Sequence, residues 1–272
     1  GLSRVIRFHY SSYFDVSSLR AYLRSLEIEQ ALADYYALSN FRLHSSSCSG
    51  ILYWSLNKGG PLFQYGCLDY LGYPMMSYYV IKRLFNGIVI QAYRDIDDIR
   101  VVGSNESRVN VEGTLRVRHL TVDGEELQVW ESKQSLETGK ITRMFELPNL
   151  YSQIRNRLNE VVHVEFCMRG KVVSEDLLLF APFSEVQITE QSIIVKVKKI
   201  NNLEWEITLQ GESVSKMIEI ETSSKVLYSD NYFSLTPERK KIVVMKALNL
   251  NDIPKVVEIS VVDSTYKKEF TL

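Results

Sequence analysis

The chain has few cysteines, no excess of either charge and no long apolar run, and each shortage excludes a class of protein. Its three cysteines, Cys48, Cys67 and Cys167, are an odd number without CxxC spacing, so neither a disulfide framework nor a zinc site is indicated and free thiols are expected. Basic and acidic residues number 32 and 33 and are mixed along the chain, giving a net charge of −1. That balance leaves no basic field for a phosphate backbone, which argues against a nucleic-acid partner. The longest apolar runs, such as Ile193-Ile194-Val195 and Leu177-Leu178-Leu179-Phe180, are far shorter than the roughly 20 residues that cross a bilayer, so no membrane span is expected. There is no P-loop or dinucleotide fingerprint, and Gly59-Gly60 alone is no substitute. The histidines, His9, His44, His119 and His163, lack metal-ligand spacing. No metal and no cofactor are therefore expected. The opening Gly1-Leu2-Ser3 carries no secretory signal and is not a usual start. Localisation is left open: periplasmic, extracellular or lysosomal if a signal peptide precedes it.

What is present is the composition of a folding chain. At 272 residues, 45% hydrophobic and 24% charged, it is long enough for two domains or two and a partial third. The first 85 residues have a helical texture. From Ser17 or Ser18 as N-cap, Leu19, Leu23, Leu26, Ala33, Ala37 and Phe41 recur at helical steps. After the polar Ser45-Ser46-Ser47, the run Ile51-Leu52-Tyr53-Trp54 reads as a short buried strand, and a Gly- and Pro-containing loop leads to a second helix over 75–85. Helix, loop and buried strand are the texture of a βα barrel.

Beyond Asn86-Gly87 the period becomes two. Strands are expected at 88–93, 99–102, 109–120, 127–132, 140–147, 161–168 and 171–180, with a short helix or irregular link at 150–159. Asp123-Gly124 suits a hairpin, and Gly139 and Gly170 sit where positive φ is useful. Seven short strands suggest an immunoglobulin-like sandwich. Ala181-Pro182-Phe183 reads as a hinge, followed by a second sandwich with strands at 186–188, 193–200, 203–210, 216–221, 241–247, 255–262 and 267–272. Asn201-Asn202 is expected to supply a two-residue turn by adopting left-handed backbone. The fold class is therefore mixed: a C-terminal remnant of a (β/α)8 barrel over 1–86, then immunoglobulin-like β-sandwiches over 87–182 and 183–272.

Two stretches carry a family resemblance. Ser49-Gly50-Ile51-Leu52-Tyr53-Trp54-Ser55-Leu56-Asn57, followed by Pro61 and Leu68-Asp69-Tyr70-Leu71-Gly72, resembles the last barrel strand and loop of the β-mannosidases of glycoside hydrolase family 2. Their pattern there is G-x-LYWQLND-x-WP, a tryptophan, then IDY-x-GR. Gln30-Ala31, Ala33, Tyr36-Ala37 and Phe41-Arg42 are similar to the helix before that strand, and Tyr79, Lys82-Arg83 and Phe85 to the final barrel helix. Far downstream, Tyr228-Ser229-Asp230-Asn231-Tyr232-Phe233-Ser234-Leu235-Thr236-Pro237 resembles the FSDNYFDLLPGE signature of the family's last sandwich.

The resemblance implies a retaining glycosidase that acts on terminal β-D-mannosides, with mannose-containing glycans as partners of the parent protein. Such enzymes use two carboxyl groups about 5 Å apart, which in the family are glutamates on earlier barrel strands. Here the only acidic residues up to Phe85 are Glu27, Glu29, Asp15, Asp34 and Asp69, none placed for that role, so no catalytic residue is expected in this chain. The resemblance makes Trp54 and Asn57 the substrate-binding residues, an indole face for a pyranose and an amide for a hydroxyl. Ser55, Lys58, Gly60, Tyr65 and Tyr73 depart from the family's glutamine, aspartate, two tryptophans and arginine, which puts the parent's substrate preference and activity in question. Asp69 with Tyr70, and Asp230 with Asn231, read as turn formers. A second function remains open, a non-catalytic carbohydrate-binding or structural module, with Trp130, Trp205, Tyr228 and Tyr232 as a candidate aromatic row. The buried strand needs cover, which a helical layer on the first sandwich, a second copy in a homo-oligomer, or the rest of a barrel would each provide.

Overall fold

The computed structural model describes residues 18–43, 48, 50–61, 65–186, 193–262, 264 and 266–272. His9, Asp15, Ser17, His44, Ser45 to Ser47, Ser49 and most of the strand expected at 186–188 lie outside them. The described residues fall into two compact units, one drawn from Gly1–Tyr53, Val80–Thr121 and Glu125–Gln187, the other from Trp54–Tyr79, Val122–Gly124 and Ile188–Leu272. Helix α1 (Leu19–Leu43) belongs to the first, and helix α2 (Met76–Leu84) begins in the second and ends in the first.

The first unit is a sandwich of antiparallel sheets. β1 (Ile88–Asp95), β2 (Asp98–Asn105) and β5 (Lys140–Leu147) form one, in that order. β3 (Val111–Thr121), β4 (Glu126–Leu136), β6 (Glu160–Met168) and β7 (Lys171–Leu179) form the other, in the order β4-β3-β6-β7. A short helix, α3 (Leu150–Gln153), links β5 to β6. Period-two alternation turns Leu115 and Val117 of β3 and Val162, Val164 and Phe166 of β6 inward to meet Ile90, Ile99 and Val101. Each such aliphatic side chain contributes about 1.5–3 kcal/mol on burial. The edge of β1 is not left bare: its Ile90 N–H donates to Ser174 Oγ at 2.9 Å and its Ala92 N–H to Asp176 Oδ2 at 3.0 Å, both on β7. Side chains thus replace a ladder partner at an edge.

Helix α1 lies on this sandwich. Tyr35 Oη donates to Asp176 Oδ1 at 2.6 Å, and Arg42 donates to the Asn86 carbonyl at 3.3 Å and pairs with Glu106. Its buried face is Ser25, Ile28, Ala31, Leu32, Leu38 and Arg42, whereas Leu19, Leu23 and Phe41 of the expected face are exposed. The helix carries apolar residues on both sides, and the side that turned inward also has Tyr35 and Arg42 to anchor it.

The second unit is a sandwich of two four-stranded antiparallel sheets. One has the order β11-β13-β9-β8, from β8 (Ile193–Lys199), β9 (Glu204–Gly211), β11 (Val226–Tyr228) and β13 (Lys240–Ala247). The other has the order β12-β10-β14-β15, from β10 (Ser215–Thr222), β12 (Phe233–Leu235), β14 (Val256–Val261) and β15 (Lys267–Thr271). Trp205, Ile207, Leu209, Ile218, Ile220, Val243, Met245, Val257 and Ile259 fill the space between them. Gly124, at φ +99°, fits here because a Cβ would stand 2.7 Å from the Glu212 carbonyl and from Pro237. The β8–β9 connection is a correction. It is an Asx turn in which Asn201 Oδ1 accepts from Leu203 N–H at 2.9 Å, and neither Asn201 nor Asn202 has positive φ.

The buried barrel strand expected at 51–54 is the larger correction, since no strand forms there and no remnant of a barrel is evident among the described residues. A barrel strand takes its hydrogen bonds from parallel neighbours on both sides, and none lies beside this segment among the described residues. Its residues alternate instead, with Ile51 and Tyr53 half-buried and Leu52 and Trp54 exposed.

Candidate functional site

The segment carrying Trp54 and Asn57 is irregular but tied at many points. On the side of the first unit, Tyr53 Oη accepts from Gln30 Nε2 at 3.0 Å and donates to Asp34 Oδ2 at 3.0 Å. Gln30 and Asp34 are one turn apart on α1 and share a face, so the helix grips the residue immediately before Trp54. Burial pushes the Asp34 carboxyl up to about 6, against the lowering effect of hydrogen bonds from Tyr53 and Gln30.

Within the second unit the segment from Trp54 to Met75 closes on itself. Leu56 C=O accepts from the N–H groups of Cys67 and Leu68, Lys58 N–H donates to Leu68 C=O, and Met75 N–H donates to Cys67 C=O. Asn57 and Leu68 are paired as an isolated parallel bridge. Ser55, where the family has glutamine, donates to the Tyr65 carbonyl at 3.1 Å. Asp69 organises the following turn: its Oδ1 accepts from Leu71 N–H at 2.9 Å and Tyr73 N–H at 2.8 Å, and its Oδ2 accepts from Lys225 Nζ at 3.1 Å. Partial burial pushes that carboxyl up, but the bonds from Tyr73, Lys225 and Leu71 outweigh it and hold Asp69 below the usual carboxylate range.

On this braced frame the Trp54 indole is 90% exposed. Asn57 is exposed too, its Nδ2 donating to the Lys58 carbonyl at 3.3 Å. Leu56, Tyr65, Tyr70 and Leu71 are also exposed. The frame can present an aromatic face and an amide to a ligand. Asp69, its one described carboxylate, is already committed to the turn, so the frame offers no second carboxyl for acid–base work. Lys225 has no sequence signal, because its partner is 156 positions away; Asp34 and Gln30 are visible in the sequence only as a carboxylate unsuited to catalysis and as a motif residue, and not as the partners of Tyr53.

The four aromatics considered for a carbohydrate-binding row do not form one. Trp205 is 3% exposed in the second core, and Trp130 packs on Phe145 in the first. Tyr228 packs against the second core with its hydroxyl on Thr222. Tyr232 packs on Tyr79 and donates to Glu219 Oε1 at 2.8 Å. Asn231 is buried and pairs with both backbone groups of Ile220 at 2.9 Å, while Asp230 caps Asn231 N–H and pairs with Lys241 at 2.9 Å. The motif residues around Tyr232 thus hold the sandwich together.

One cluster the histidine spacing did not suggest lies on the first sandwich. His163, Glu165 and Glu175 bring three potential ligand atoms within 4.8 Å of one another. Arg118 Nη2 stands 3.0 Å from His163 Nδ1, and a guanidinium can only donate, so Nδ1 accepts and Nε2 carries the proton. Nε2 is the nitrogen 3.8 Å from Glu175. A ring so committed has no lone pair for a metal, and the Arg118 charge opposes a cation. Arg118 itself pairs with Glu126, which also pairs with Arg116.

Comparisons with known proteins agree with the sandwich architecture. Residues 97–184 match the mannosidase Ig/CBM-like domain and residues 186–265 the Ig-fold domain that accompanies it. The β-mannosidase B of Aspergillus clavatus is 22% identical over 224 residues, covering 76% of this chain and 26% of the relative. The crystal structure of the β-D-mannosidase from Dictyoglomus thermophilum shares the fold with a TM-score of 0.86 at 19% identity, over 96% of this chain and 32% of that one. The exo-chitosanase of Amycolatopsis orientalis superposes with a TM-score of 0.74 at 15% identity, over 94% and 35%. The chain thus spans about a third or less of the length of these proteins. Its two sandwiches match the two mannosidase-type immunoglobulin-like domains, and the chain resembles a C-terminal region of the β-mannosidase-like proteins.

Proposed function

We propose that this chain is the C-terminal part of a retaining exo-glycosidase that hydrolyses terminal β-D-mannosides, and that both catalytic glutamates come from a barrel outside this chain. Trp54 stacks its indole on the apolar face of the sugar ring, and Asn57 donates to a hydroxyl. The second sandwich supports that loop, and the exposed apolar residues around it face the remainder of the barrel. The observation that carries the reading is the exposure of Trp54 on a frame braced from several sides, in contrast to Trp205, which lies in a core. Two acidic residues of the first 85 positions support the same reading: Asp34 and Asp69 are occupied by Tyr53 and by the turn at Tyr73.

The test is kinetic. The purified chain should not release nitrophenol from an aryl β-mannoside, whereas a protein that also contains the barrel should. In that longer protein, Trp54→Ala should lower kcat/KM about tenfold or more, equivalent to about 1.4 kcal/mol of transition-state binding. Its melting temperature should not change, since the side chain is exposed. Turnover by the chain alone after removal of contaminants would overturn the assignment of the glutamates. Unchanged kinetics in the Trp54→Ala protein would overturn the sugar contact.

A further inference from the structure

Lys225 is an exposed lysine in the short connection between β10 and β11 of the second sandwich. A lone surface lysine contributes little, but this one has two partners on the loop that follows Trp54. Its Nζ lies 3.1 Å from Asp69 Oδ2 and 4.9 Å from the centre of the Tyr73 ring. Asp69 Oδ1 meanwhile holds the Leu71 and Tyr73 N–H groups. One residue upstream, Leu68 bonds to Leu56 and Lys58 and pairs with Asn57. A short continuous path of contacts therefore runs from the sandwich connection through Asp69 to the residues on either side of Asn57. Tyr73 stands where the related β-mannosidases have arginine, and its ring receives a cation from Lys225.

We propose that Lys225 is a positioning residue: through Asp69 and Tyr73 it fixes the loop that presents Trp54 and Asn57, so the second sandwich takes part in shaping the substrate contact. The proposal rests on the reading of Trp54 and Asn57 as sugar contacts only for its functional meaning; the mechanical coupling stands separately and is tested separately. The depressed Asp69 carboxyl is in keeping with a neighbouring ammonium.

The experiment is a pair of NMR measurements on the full 272-residue chain. In an amide-correlation spectrum, Lys225→Met should shift the Asn57 side-chain amide, the Leu68 backbone amide and the Trp54 indole N–H. The Trp205 indole, in the same sandwich, should stay in place and report an intact core. Carboxylate carbon shifts should show Asp69 titrating at higher pH in this variant. Lys225→Arg keeps the charge and the face-on contact and should restore most of each shift. Lys246→Met, which removes another surface pair of this sandwich, with Glu204 at 3.3 Å, should leave the loop signals unmoved. If the Asn57 and Trp54 signals of Lys225→Met coincide with those of the parent chain, or move equally in Lys246→Met, the proposal fails. Both results are independent of turnover, so they stand apart from the fate of the sugar-contact assignment.

Discussion

The two sandwiches have the same layering but close their interiors by different means. The second has an aliphatic and aromatic core around Trp205 and also buries Lys216 and Glu219, while its buried amide Asn231 bonds both backbone groups of Ile220. The first buries Arg118, His119, Glu160, His163 and Glu165 as well as its apolar core, and closes its β1 edge with Ser174 and Asp176 rather than with a strand. An apolar core resists in proportion to area and tolerates little loss of volume. A polar seam holds only while every donor and acceptor stays matched. The same fold therefore has two points of failure, and substitutions can tell them apart.

The largest effect is expected from Trp205→Ala in the second sandwich. Deleting a buried indole there should cost about 3–5 kcal/mol, a large part of a typical domain's total stability. The urea midpoint followed at Tyr-rich near-ultraviolet bands should fall steeply, while amide exchange of the first sandwich is preserved. Equal loss in both sandwiches would mean that they unfold as one unit, and the contrast would then lose its meaning.

Asp176→Ala should come next, acting on the first sandwich. It removes the acceptor of the Ala92 N–H and of the Tyr35 hydroxyl, and leaving such groups unmatched costs about 1–3 kcal/mol. Burial pushes the Asp176 carboxyl up even though Tyr35, Ala92 and Leu177 hydrogen-bond to it, which shows how dry the seam is. Exchange at Ala92 and along α1 should accelerate before the rest of the sandwich opens. Unaltered exchange at Ala92 would show that apolar packing alone holds β1 to β7.

What the residues announced and what they concealed divide along the same physical line. Strands at 88–93, 140–147, 161–168 and 171–180 are legible as β-forming runs bounded by turn residues, even where, as in β6, no residue is fully exposed, and the structure places β1, β5, β6 and β7 there. β11 and β12 are three residues each, too short to show a period, and sit inside a stretch whose turn chemistry dominates. The segment 51–54 has the apolar β-formers of a strand but lacks the neighbour that a strand needs to pair with. Trp54 and Asn57 could be singled out from a motif. Their bracing could not, since Lys225 meets Asp69 only after the whole first sandwich has intervened in sequence. The buried face of α1 is hidden from the sequence for a related reason: Arg42 and Tyr35 anchor it through partners, Glu106 and Asp176, that no helical period reveals.

The finest separation of the two sandwiches should come from pH. In the first, burial lowers the His119 pKa below 6.5, opposed by Glu160. In the second, burial lowers Lys216 from 10.5 to about 8. For both groups the unfolded chain binds the proton more tightly than the folded one, so stability rises with pH across the interval between the two values. For His119 the benefit is complete above pH 6.5 and is lost as pH falls through its depressed value. For Lys216 stability should rise between about pH 8 and pH 10.5 and level off above. Urea midpoints read by hydrogen exchange in each sandwich at pH 5.5, 7.5 and 9.5 should therefore show an acid-side loss in the first and an alkaline-side gain in the second. Lys216→Met should flatten the alkaline gain and leave the acid limb untouched, and His119→Phe should do the reverse. An alkaline gain that survives Lys216→Met would assign it to other groups and remove the sharpest difference between the two interiors.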